Sequence, residues 1–95
     1  MVVLRIEHPV SSYDVWKQAF DSDPADRAGA GVRRYRVLRP VDDPRYVMID
    51  LEFDEHHRAE TFLTTMQRIW TAAGHTVSAD QRARIVEVAA TEELP

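Results

Sequence analysis

Apolar residues recur along this chain with two different periods, and the order in which those periods appear constrains the fold more than any single motif. Residues 2–7 alternate, with Val2, Leu4 and Ile6 on one side and Val3, Arg5 and Glu7 on the other, the pattern of a strand buried on one face. His8-Pro9 closes that run. Ser11 then stands three residues before Asp14, a capping-box-like start, and Val15, Trp16, Ala19 and Phe20 share one helical face, which predicts a helix ending near Asp21. Alternation returns over 32–39 and 45–53, on either side of the ladder-breaking turn Pro40-Val41-Asp42-Asp43-Pro44, and predicts an antiparallel hairpin. A second helix follows, capped by Asp54, with Ala59, Phe62, Leu63, Met66, Trp70 and Ala73 at helical spacing before Gly74. Residues 82–89 alternate again, with Ile85, Val86 and Val88 supplying β-branched side chains.

Between these elements, 22–31 is small and polar and is broken by Pro24, Gly29 and Gly31, so it reads as a mobile connection with no core of its own. Residues 75–81 form a second loop, and 91–95 a frayed tail. The order strand, helix, strand, strand, helix, strand is the α+β split βαβ topology, a four-stranded antiparallel sheet with both helices on one face. Pairing Leu38 with Tyr46 sends Val37, Val47, Tyr35, Ile49, Arg33 and Leu51 toward the helices. It also sets Arg34 opposite Asp50 on the other face, where unlike charges stabilise the pair. That open face then carries Val3, Arg5, Glu7, Val32, Arg34, Arg36, Leu38, Tyr46, Met48, Asp50 and Glu52, a mixture too apolar to be left bare.

Ninety-five residues hold one core, and a domain this small gains stability when a second copy covers its open face, so residues 1–95 are expected to form a single domain that dimerises through the sheet. A net charge of -4 argues against nucleic-acid or anionic-membrane partners. The chain has no cysteine, so disulfides, thiolate nucleophiles and thiolate metal sites are excluded. Arg5 and Glu7 interrupt the first residues, unlike a signal peptide, and no run approaches the ~20 apolar residues of a membrane span. A cytoplasmic location is the expectation.

The order of elements, the first helix Tyr13-Asp14-Val15-Trp16-Lys17-Gln18-Ala19-Phe20 and the hairpin over 32–53 resemble the dimeric α/β-barrel superfamily, which has a ferredoxin-like fold. The resemblance covers nearly the whole chain. It implies two sheets packed open face to open face, with a cavity between sheet and helices or inside the barrel. Members include antibiotic-biosynthesis monooxygenases, haem-degrading monooxygenases, muconolactone isomerases and many small cyclase-like proteins, to which this chain is most similar.

Candidate sites divide by face. Trp70 and His75 resemble the Trp and His of the haem-degrading members. However, Glu7 or His8 stands where those carry Asn, and the Trp-to-His spacing is shorter, so Trp70 reads as core. His56 and Glu60 lie one helical turn apart, but two ligands do not make a metal site, and no metal is expected. The run Arg33-Arg34-Tyr35-Arg36 with Arg39 lacks the outward aromatic residues of RNA-binding sheets.

The leading expectation is a homodimer that binds a small aromatic or polyketide-like molecule. It would work without a cofactor, as a monooxygenase-like or cyclase-like enzyme. Its substrate would lie near Trp16, Phe62, Met66 and Trp70, oriented by Arg34, with His8, Tyr46 or Asp50 transferring protons and burial raising the carboxylate's pKa. The alternative is a non-catalytic binding module in which the apolar residues are core and the charges only pair across strands and subunits.

Overall fold

The computed structural model describes residues 1–72 and 81–95. The described elements are β1 (Val2–Pro9), α1 (Tyr13–Asp21), β2 (Val32–Leu38), β3 (Tyr46–Phe53), α2 (His56–Ala72) and β4 (Arg82–Glu87), in the expected α+β order. The strands form one antiparallel sheet in the order β2-β3-β1-β4, the ferredoxin-like arrangement. The two strands with the strictest alternation, β1 and β3, pair over their full length from Val2↔Phe53 to Pro9↔Tyr46 and occupy the centre. Their inward residues Leu4, Ile6, Val47, Ile49, Leu51 and Phe53 form the core with Ala59 and Phe62 of α2. Phe53 and Phe62 meet with ring centroids 5.7 Å apart.

The hairpin register differs from the expected one by two residues. Leu38 pairs with Met48, Arg36 with Asp50 and Arg34 with Glu52, so Arg34 does not face Asp50. A shift of two preserves which face each side chain takes, because strand side chains alternate with period two, and the alternation pattern alone does not distinguish the two registers. An irregularity between Val32 and Arg34 changes the parity at the strand's start. Val32 therefore packs against the core instead of the open face, while Arg33 turns outward and pairs with Asp54 at 3.3 Å.

Helix α1 is capped by Ser12, whose hydroxyl accepts from Val15 N, and not by Ser11. Its inner face is Tyr13, Trp16 and Phe20; Val15 is 67% exposed. Spacing explains this difference, since a residue adjacent to Trp16 in sequence lies about 100° around the helix from it. In α2 the expected face is observed, with Ala59 and Phe62 buried and Leu63, Met66 and Trp70 packed on the core. The expected helix end at Ala73 and Gly74 and the loop residue His75 lie outside the described residues.

The connection 22–31 is not the coreless loop that its composition suggests. Ala25 and Ala30 pack against the core, and Arg27 lies over Phe20. Asp23 and Asp26 adopt left-handed backbone with φ of 53° and 51°, and Gly31 closes the loop at φ 99°. A side chain at Gly31 would also meet Arg58, whose Cδ lies 2.8 Å from where a Cβ would stand. No helix among the described residues is long and apolar enough to cross a membrane.

Candidate functional site

The sheet has two chemically different faces. Between β1, β3 and the two helices lies a cavity of about 370 Å³, within the size range of small-molecule pockets. The strands supply its floor with Ile6, Ile49 and Leu51, α1 one wall with Trp16, Ala19 and Phe20, and α2 the other with Phe62, Met66, Ile69 and Trp70. His8 and Pro9, at the end of β1, and Pro24, Ala25 and Arg27 of the 22–31 connection complete the lining with Gln81. The helical spacing of Phe62, Met66 and Trp70 aims all three at the same side, which is why they converge here.

Five of the expected site residues thus come together: His8, Trp16, Phe62, Met66 and Trp70. The rings of His8 and Trp16 meet edge-on at 6.2 Å, and Trp16 stacks on Phe20 at 5.1 Å. His8 Nδ1 lies 3.0 Å from the carbonyl oxygen of Pro9. A carbonyl oxygen only accepts, so in the tautomer with its proton on Nδ1 the ring donates to Pro9 and presents Nε2 as an acceptor.

Arg34, Tyr46 and Asp50 lie on the opposite face. Asp50 is 5% exposed and accepts two hydrogen bonds from Arg5, from Nε at 2.7 Å and Nη2 at 2.9 Å, with Arg36 Nη2 at 3.6 Å. Hydrogen bonding from Arg5 is the main cause that holds the Asp50 carboxyl below the ordinary carboxylate range, and it outweighs the opposing effect of burial. The expected raised pKa of a catalytic base is therefore not present at Asp50. Arg34 pairs with Glu52 at 2.6 Å, and the Tyr46 hydroxyl donates to Glu7 Oε1 at 2.8 Å. Cross-strand ion pairs thus organise this face.

The His56 imidazole pairs with Glu60 at 3.0 Å. Among the described residues, no group of three metal-ligating side chains converges. Arg27 is the charged cavity residue that the sequence did not mark. Its neighbours Phe20 and Tyr35 belong to two other elements, and no local pattern in a small polar loop indicates that its single arginine will fold inward.

No protein-family model matches the sequence, and no curated protein matches it. Solved structures do match over essentially the whole chain. A variant of SnoaB, a cofactor-independent oxygenase from Streptomyces nogalater, superposes with a TM-score of 0.73 at 15% identity, covering 95% of this chain and 94% of its own. A Nitrosomonas europaea protein assigned as an antibiotic biosynthesis monooxygenase gives 0.68 at 18% identity, covering 95% of this chain and 100% of its own. A dimeric ferredoxin-like protein from an uncultured marine organism gives 0.65 at 8% identity, covering 98% of each chain. The chain therefore shares the ferredoxin-like fold of these solved structures.

Proposed function

We propose that this chain forms a homodimer in which each subunit holds a flat aromatic or polyketide-like molecule in the cavity between sheet and helices and oxygenates it without a cofactor. The apolar cavity walled by Trp16, Phe20, Phe62, Met66 and Trp70, with His8 at the end of β1, carries this reading. Aromatic walls favour a planar ligand through burial and offset or edge-on ring contacts. The distant structural similarity to a cofactor-independent oxygenase supports the reaction class.

In this mechanism His8 Nε2 removes a proton from a phenolic or quinol-type substrate. The resulting anion is electron-rich enough to reduce dioxygen directly. One oxygen atom bonds to a ring carbon whose C–H bond breaks, the O–O bond breaks, and the other oxygen leaves as water with that hydrogen and the proton taken by His8; phenol and dioxygen thus become quinone and water, and the substrate supplies all four electrons. The apolar walls keep water from the reactive anion. Oxygen uptake with reduced quinols is expected to exceed the rate in buffer, and His8→Gln is expected to lower the excess by about 100-fold or more, the usual contribution of a positioned base. Uptake no faster than in buffer would leave a binding module without catalysis.

The other sheet face reads as the subunit interface. Val3, Leu38 and Met48 give it apolar area, while the ion pairs of Asp50 and Glu52 and the Tyr46–Glu7 hydrogen bond fix the orientation of a facing copy. Arg34, Tyr46 and Asp50 then serve assembly. Native mass spectrometry is expected to give twice the chain mass; a stable monomer at micromolar concentration sinks this part of the reading.

A further inference from the structure

We propose that the cavity selects an aromatic anion over its neutral counterpart and that Arg27 is the group that recognises the charge. This inference rests on the cavity being the ligand site. Among its described lining residues Arg27 bears the one permanent charge; His8 and Gln81 are the other polar side chains, and the rest is apolar.

Three features make Arg27 more than a loop residue that happens to fold inward. Its side chain is only 14% exposed, and its guanidinium carbon lies 3.9 Å from the centre of the Phe20 ring and 5.0 Å from that of Tyr35. A cation held over an aromatic cavity wall in this way is partly stripped of water, which strengthens any ion pair that it makes.

The guanidinium is also under-used. Of its five N–H donors, Nη1 is bonded to the Phe20 carbonyl oxygen at 2.8 Å, and that is its one hydrogen-bond acceptor among the described residues. Nε also forms a salt bridge to the half-buried Asp23 carboxylate at 3.5 Å, longer than a charge-assisted hydrogen bond. Donor capacity thus remains for a carboxylate or phenolate oxygen.

Finally, the backbone that presents it is anchored by local hydrogen bonds. Asp23 and Asp26, both in left-handed conformation, precede Arg27. The Asp23 carboxylate accepts from Arg27 N at 2.9 Å, and the Arg27 carbonyl accepts from Val32 N at 3.0 Å. Aspartate tolerates this conformation because its short side chain bonds to nearby backbone, so the two turns and these hydrogen bonds fix the direction in which Arg27 leaves the loop.

The test uses 2-naphthoate and 2-naphthamide, probes of the same ring and nearly the same size that differ in charge. Both tryptophans of the chain line the cavity, so quenching of intrinsic fluorescence reports its occupancy. At about pH 8, above the ordinary imidazole range, the wild-type protein is expected to bind naphthoate at least about tenfold more tightly than naphthamide. Arg27→Gln is expected to bring the two affinities together with naphthamide binding within about twofold of wild type, and Arg27→Lys to retain part of the preference.

Equal affinities in the wild type overturn the inference without any variant, and so does a preference that survives Arg27→Gln. If naphthamide binds and the discrimination is missing, the cavity reading stands and the role of Arg27 falls. If neither probe binds, both fall.

Discussion

A phenyl ring introduced at Ala19 is expected to abolish most ligand binding while leaving the fold intact. Ala19 lines the cavity from α1 yet is itself exposed, between Trp16 and Phe20 on the same helix. Its Cβ direction is set by the helix backbone, so a larger side chain there enters space that a ligand ring would occupy. Excluding one ring of the ligand forfeits about 1.5–3 kcal/mol of burial, or roughly tenfold to a hundredfold in affinity. Stability should stay within about 0.5 kcal/mol of wild type, because no buried group is displaced. Calorimetric titration of 2-naphthoate into Ala19→Phe measures the first quantity and urea unfolding the second. Unchanged affinity would place the ligand elsewhere and remove the basis of the proposed function.

The second large effect concerns the other face. Asp50→Asn is expected to reduce stability at neutral pH by about 1–3 kcal/mol. The substitution keeps the shape but loses the charge that receives both Arg5 hydrogen bonds and faces Arg36. Breaking a fully buried pair costs more than this, but Arg5 is 48% exposed and water recovers part of the loss. The sign of the pH dependence follows from the lowered carboxyl. With its folded-state pKa below the unfolded value, Asp50 contributes its full stabilisation above the ordinary carboxylate range. The contribution is lost as pH falls through the lower folded-state value. Urea midpoints measured stepwise from about pH 7 to about pH 3 should therefore fall more steeply for wild type than for Asp50→Asn. Parallel curves would mean that the pair carries no net stabilisation.

Element order and side-chain facing were legible from the sequence because both depend on local periodicity. Val2, Leu4 and Ile6 alternate with Val3, Arg5 and Glu7, and Phe62, Met66 and Trp70 recur at helical spacing, so each element declared which side would be buried. Those α2 residues, together with Trp16, are the walls of the cavity, and to that extent half of the candidate site could be read in advance. The cap of α1 was misplaced by one residue because Ser11 and Ser12 are chemically equal; backbone geometry, with Ser12 extended at φ -149°, decided between them.

What the sequence determined by itself was the α+β order, the sheet with two unlike faces and the residues on most of each face, since these follow from periods of two and about 3.6 residues. Only the tertiary structure decided the partners. Asp50 belongs to Arg5 and Arg36 and not to Arg34, because a two-residue register shift leaves every face unchanged and only the assembled ladder selects between such registers. The fold also divided the expected site, leaving His8 with the aromatic cavity and placing Tyr46 and Asp50 across the sheet from it. It added Arg27, whose position depends on rings contributed by two other elements. Contacts of this kind join residues by distance in space, and a pattern of local periods holds no record of that distance.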